Sequence, residues 1–292
     1  MMDLKQEMKE RCAYIEQALE QAVPEQKDFP PVIFEAMRYS LLAGGKRLRP
    51  MMVLAACEAV GGKKEDALPF ACALEMIHTY SLIHDDLPCM DDDDMRRGQP
   101  SCHIKFGEAT ALLAGDALLT MAFEQIAECD LSAEKRVEAV KILSRAAGAH
   151  GMIGGQCLDL SHEGKPIGLD KLDRINSLKT SAMMEAACLL GCLSAKTEKC
   201  RQAASVYAQN VGLAFQIVDD ILDVIGNEKS LGKPIGSDEQ NRKDTYVSHL
   251  GVDCCRRKAK ELTQTACEAL TVFDGDFSFL KELAIDLLSR VN

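Results

Sequence analysis

Residues 84–97 read HDDLPCMDDDDMRR, which places aspartates at 85, 86, 91, 92, 93 and 94 and an arginine pair, Arg96 and Arg97, directly after them. A second acidic set, Asp219, Asp220 and Asp223, stands in FQIVDDILD at residues 215–223. Both sets close largely apolar segments, FACALEMIHTYSLI (residues 70–83) and VYAQNVGLAFQIVDDILDV (residues 206–224). Carboxylates that emerge from a core are neutralised by a shifted pKa or matched by a cation. No His/Cys set at zinc spacing accompanies them, and an all-oxygen donor set suits a hard cation, with magnesium the first choice. Magnesium keeps several waters and bridges one or two carboxylates to phosphate oxygens, so the expected ligand is a phosphorylated molecule held between the two clusters.

Spacing sharpens one cluster and leaves the other open. Asp219 and Asp223 are i and i+4 and share a helix face. Asp85 and Asp91 are six apart, on different faces of a continuous helix, whereas Asp92, seven apart, lies nearer the face of Asp85. Pro88 disfavours straight helix, and a bend or loop there would carry Asp91 back. The basic residues are placed to complement phosphate: Lys46, Arg47 and Arg49 in GGKRLRP, Arg96 and Arg97, and Lys179, Lys233 and Lys243 near turns or polar breaks. Arginine forks suit phosphate oxygens, so these groups form candidate anion sockets.

The elements that must position these residues are helical. Apolar residues recur at helical spacing over 3–22, 31–43, 50–60, 65–87, 108–128, 133–149, 170–193, 197–225, 252–271 and 276–290, and strand signals are nearly absent. Short breaks carry turn chemistry, among them Gly44-Gly45, Gly61-Gly62, Gly98 with Pro100, and Gly154-Gly155. No linker interrupts the 292 residues, so 1–292 is expected to be a single all-α domain, a bundle whose facing helices build a site in its interior. The formal charge of −11 carries no basic arm, which excludes nucleic acid as a partner class. Thirteen cysteines without CxxC spacing fit a reducing compartment. No run of about 18 apolar residues appears and the N-terminal stretch is charged and amphipathic, so a cytoplasmic protein with no membrane span is expected.

HDDLPCMDDDDMRRG, GGKRLRP, KTSAMMEAA, FQIVDDILD and LGKPIGSDEQNRKDTY, spread over nearly the whole chain, closely resemble the trans-isoprenyl diphosphate synthases, and most of all the bacterial farnesyl type. The resemblance implies about ten core helices around a deep central cavity, and a homodimer. It implies that Asp85 and Asp91, with Asp219 opposite, hold three Mg2+ ions, with Mn2+ able to substitute, and that Asp86, Asp220 and Asp223 complete the motifs. Arg96, Lys179, Lys233 and Lys243 match the clamp on the allylic diphosphate, and Thr180 and Gln216 stand beside the reacting carbons. Lys46, Arg49, His78 and Arg97 match the metal-free pocket for isopentenyl diphosphate. Asp244, after Lys243, departs from the uncharged small residue usual in the family.

The implied reaction is head-to-tail condensation of isopentenyl diphosphate with dimethylallyl and geranyl diphosphate through an allylic carbocation, with no protein general base. Tyr80 lies five residues before Asp85, roughly 7–8 Å deeper along the helix. By the resemblance its ring, with Ser81 beside it, forms the floor that stops growth at fifteen carbons. A geranyl or geranylgeranyl synthase is the alternative within the family. A phosphohydrolase built on the His84-Asp85 dipeptide needs more metal-binding histidines than the six present suggest. Terpene cyclases normally carry an Asn/Ser/Glu-type second motif, and non-catalytic prenyltransferase subunits typically lose aspartates that this chain retains.

Overall fold

The computed structural model describes residues 3–26, 30–162, 164–194, 198–225 and 244–291. Among them the chain runs α1 (Leu4–Ala22), α2 (Pro31–Leu41), α3 (Leu48–Ala59), α4 (Lys64–Asp85), a small hairpin, α5 (Cys102–Phe106), α6 (Glu108–Glu128), α7 (Ala133–Ala147) and α8 (Met152–His162). It continues as α9 (Leu169–Asn176), a π-helical turn (Ser177–Ser181), α10 (Ala182–Gly191), α11 (Glu198–Ile225), α12 (Tyr246–Leu250), α13 (Val252–Ala269) and α14 (Ser278–Ser289). The hairpin pairs β1 (Met95–Arg96) antiparallel with β2 (Gln99–Pro100), so the turn read at Gly98 is real and the described residues are otherwise helices and their connections. No described helix is long and apolar enough to cross a membrane. All thirteen cysteines are free thiols.

Two compact units can be distinguished, Met1–Leu54 with Lys63–Val140 and Ala55–Gly62 with Lys141–Asn292. In the first, α4 is the central element and packs most extensively on α6, with α1 and α2 also against it. Its buried residues, from Ala67 through Phe70–Ile77 to Thr79, Tyr80 and Ile83, cover most of its circumference, as expected of a helix surrounded by protein. Acidic Glu65 and Asp66 in its first turn and His84 in its last suit the helix dipole. In the second unit α11 is central and packs most extensively on α13. Ile217, Val218 and Ile221 of α11 join Leu172, Ile175, Tyr246, Cys255 and Ala259 in one apolar cluster.

Two expected boundaries differ. Gly154-Gly155, read as a break, lies inside α8: a side chain on Gly155 would meet the backbone nitrogen of Lys179 at 2.5 Å, so this glycine permits close packing and does not make a turn. The segment 170–193 is not one regular helix, because the π-helical turn interrupts it at Ser177–Ser181.

Glu75 is a carboxylate buried within α4, with its side chain 2% exposed. Its countercharge is Arg47, whose Nη1 donates to Glu75 Oε1 at 2.6 Å while Nε reaches Glu16 at 3.1 Å and Nη2 reaches the Leu41 carbonyl at 2.6 Å. Arg47 adopts φ 48, a left-handed conformation rare outside glycine, to bring its fork inward. Breaking such a pair strands a buried charge. Glu75→Ala is expected to lower unfolding free energy by about 3–5 kcal/mol, read from urea denaturation.

Candidate active site

Helix α4 ends at Asp85, and the turn that follows brings the chain back toward it. Leu87 N donates to the His84 carbonyl, Met90 N to Leu87 at 2.8 Å, and Asp91 N to the Asp85 carbonyl at 2.8 Å. The chain after Pro88 therefore folds back and sets Asp91 beside Asp85, the bend that spacing alone leaves open. Asp92, with φ 52, faces the turn differently, its N–H bonding to Leu87. Asp86 is buried, and Arg96 on β1 donates to it through Nε, at 3.0 and 3.2 Å to the two oxygens, and through Nη2. Burial pushes the Asp86 carboxyl up and the Arg96 bonds oppose it. Asp86, Arg96 and Arg97 line one small cavity together with Tyr39, Thr79 and Cys102.

The cations of GGKRLRP separate into different tasks. Arg47 is consumed by Glu75 and Glu16. Arg49 Nη1 donates to His78 Nε2 at 3.4 Å, and Arg49 Nε is buried with no partner among the described residues. Arg97 donates through Nη1 to the Gly44 carbonyl, and a side chain on Gly45 would meet the Arg97 guanidinium carbon at 2.8 Å. Lys46 is exposed on the same loop. The structure thus joins Arg49 to His78, and Arg97 to the loop that carries Lys46. Burial holds His78 well below its ordinary value, and Arg49, Arg97, Arg47 and Arg96 push it the same way. A neutral imidazole that accepts from Arg49 at Nε2 carries its proton on Nδ1.

In the second unit, Asp220 and Asp223 are buried and Asp219 is half-buried on α11. Asp220 accepts from Gln216 Nε2 at 3.0 Å and from the Tyr246 backbone N–H at 2.8 Å. Lys179 and Thr180 ride on the π-helical turn, and Lys179 Nζ pairs with Asp159 Oδ2 at 2.7 Å. Gly155 and Gly212 let that turn approach closely: a side chain on Gly212 would meet Ser181 Oγ at 2.6 Å. Asp159 escapes a reading of the sequence, because a lone aspartate on α8 has no local signal tying it to Lys179. Lys233 and Lys243 lie outside the described residues. Asp244 accepts from the Ile167 N–H at 2.6 Å and bonds His249 Nε2 at 3.0 Å.

Among the described residues no three His, Cys, Asp or Glu side chains gather as a ready-made metal cage. The donors present, carboxylates in small groups with no soft ligand among them, fit a cation that takes one or two protein oxygens per ion and completes its shell with water and phosphate.

A family model described as polyprenyl synthetase matches residues 30–273. A geranylgeranyl diphosphate synthase of Cyanophora paradoxa is 47% identical over 97% of this chain and 95% of its own length. The farnesyl diphosphate synthase of Escherichia coli is also 47% identical, over 99% of each chain. A Helicobacter pylori geranyltransferase, solved with magnesium and isoprenyl diphosphate, superposes with a TM-score of 0.84 at 33% identity, covering 99% of this chain and 97% of that one. A match of this extent, running through both aspartate motifs, makes the chain a member of the polyprenyl synthetase family of prenyltransferases.

Proposed function

We propose that this protein condenses isopentenyl diphosphate head to tail with dimethylallyl and then geranyl diphosphate, releasing farnesyl diphosphate. The observation that carries the reading is the half-buried Arg49–His78 pair, with an Arg49 Nε that has no partner among the described residues, in the same unit as a folded-back Asp85–Asp91 turn. One place gathers arginines beside a neutral histidine and the other gathers carboxylates, so two diphosphates are recognised in two ways. Asp85 and Asp91, with Asp219, would hold magnesium, and Asp220 and Asp223 complete the second motif. Bound magnesium supplies the positive charge that stabilises a departing diphosphate. Asp86 contributes by holding Arg96.

The chain's own residues then divide the remaining work. Arg49, Lys46 and Arg97 bind the isopentenyl diphosphate, and neutral His78 adds a hydrogen-bonding group without a second charge. Lys179, aimed by Asp159, clamps the allylic diphosphate with Arg96, Lys233 and Lys243. Thr180 and Gln216 place oxygen atoms near the allylic carbons, where developing positive charge is stabilised. Tyr80, 4% exposed, closes the space for the growing chain. Ser81 stands beside it, its hydroxyl donating to the His78 carbonyl at 2.8 Å on its own helix.

Relatives of equal identity carry farnesyl and geranylgeranyl names, so product length rests on the aromatic at position 80 and a twenty-carbon product is the second reading. Exposed Ile104, Leu112 and Leu113 on the adjoining α5 and α6 support a homodimer. Thirteen free thiols support a reducing, cytoplasmic setting.

Chelation of divalent metal is expected to abolish turnover, with activity restored by Mg2+ or Mn2+. Asp85→Ala and Asp219→Ala are each expected to slow it by about 10²-fold or more at unchanged helicity, and near-normal rates in both variants would refute the two-sided site. With excess isopentenyl diphosphate, chromatography of the products should show Tyr80→Ala extending chains past the wild-type length while Tyr80→Phe keeps it. The histidine adds a pH signature. Because the folded-state value of His78 lies below its ordinary value near 6.5, the unfolded chain binds a proton that the folded chain does not as pH falls below 6.5. Stability is therefore lost toward acid through this group, and His78→Gln is expected to flatten the decline in unfolding free energy between pH 7 and 5 measured by urea titration.

A further inference from the structure

The Tyr80 ring is held by a neighbour that is itself seated on another helix. One turn later on α4, His84 meets Tyr80 edge-on, with ring centroids 5.6 Å apart and planes at 74°. His84 Nε2 lies 3.1 Å from the Leu112 carbonyl of α6, to which it donates, and 3.9 Å from Asp116 Oδ1. Directly beneath the ring is Gly115. A side chain there would overlap His84 Nε2 and stand 2.5 Å from Cδ2 and 3.0 Å from Cε1.

Gly115 sits in the interior of α6, has no left-handed φ, and lies in a helix position where alanine is the better helix former. Its missing side chain serves the imidazole, not the backbone. The Tyr80 hydroxyl is buried with no hydrogen-bond partner among the described residues, so no polar anchor there competes with the His84 contact in orienting the ring.

We propose that Gly115 and His84 are positioning residues for product length: the bare backbone at Gly115 admits the imidazole, and the imidazole fixes where the Tyr80 ring stands. The inference rests on Tyr80 being the floor of the product site. It assigns part of the length control to α6, away from the aspartates at the end of α4.

Full-length protein containing 3-fluorotyrosine gives a direct test, since the chain has five tyrosines and the Tyr80 19F resonance is the one lost in Tyr80→Phe. The folded variants Gly115→Ala and His84→Ala, checked by thermal melting, are each expected to move that resonance. Each should also raise the ratio of longer to wild-type-length product by about two- to tenfold, the span that ring-pair contacts imply. In the double variant the methyl added at position 115 no longer meets a ring, so both readouts should match His84→Ala alone. This also keeps the test open if Gly115→Ala alone folds poorly. An unmoved Tyr80 resonance and unchanged products in His84→Ala overturn the proposal. So does a Gly115→Ala effect that is equally large with and without His84. A wild-type product of other than fifteen carbons refutes the farnesyl assignment alone, because the resonance and the double-variant comparison still judge the seat of the ring. Failure of Tyr80→Ala to lengthen products removes the floor and with it the length-control proposal.

Discussion

A guanidinium closing on a buried carboxylate, Arg96 on Asp86, is the interaction on which the first acidic cluster depends. Asp86 is 2% exposed at the end of an apolar helix, a position where an unpaired charge is not tolerated. Arg96 reaches it from β1, and the pairing fastens the hairpin to the end of α4. The intervening turn, tied at Asp91 N to the Asp85 carbonyl, then has little choice of path. Asp220 occupies a comparable place on α11, where it accepts from an amide side chain and a backbone N–H. The two motifs look alike in sequence, and each buries one of its aspartates against donors from elsewhere in the chain.

The net charge of −11 belongs to the surface as a whole and says little about local fields. Arg47, Arg49, Arg96 and Arg97 act together on His78, and with burial that crowding keeps the imidazole neutral. Arg47 is spent on a structural ion pair with buried Glu75. An acidic protein thus maintains a small positive enclave.

Much of this was legible in the sequence because the helices carry long apolar periodicities and the aspartates cluster. The all-α architecture followed from such patterns, and the turn at Gly98 from its glycine and the nearby Pro100. What was not legible depended on partners distant in the chain. Lys46, Arg47 and Arg49 are equivalent as basic residues in one heptapeptide, and only Glu75, 28 residues on from Arg47, marks that arginine as structural. Gly154-Gly155 reads as a turn because glycine favours turns, but Gly155 answers to the backbone of Lys179. The fold-back after Pro88, which brings the Asp91 backbone to Asp85, turned on where α4 stops, and helix ends are less sharply encoded than helix interiors. His84 and Gly115 carry no motif at all, since a glycine required by a ring on another helix resembles any other helical glycine.

The π-helical turn at Ser177–Ser181 has a consequence for how this chain can be compared and recombined with others. A π turn holds one more residue than the α-helix it interrupts, so the segments on either side are out of phase by about 100° of helical rotation. Ile175 before the turn and Met183 after it are both buried with that extra residue between them. Removing one residue there would regularise the hydrogen bonds and rotate one flank against the other, turning Lys179 away from Asp159 or the apolar face of α10 away from α11. The turn therefore acts as a reading-frame marker in three dimensions: a chimera or an alignment that crosses it must keep its length, whatever side chains it exchanges.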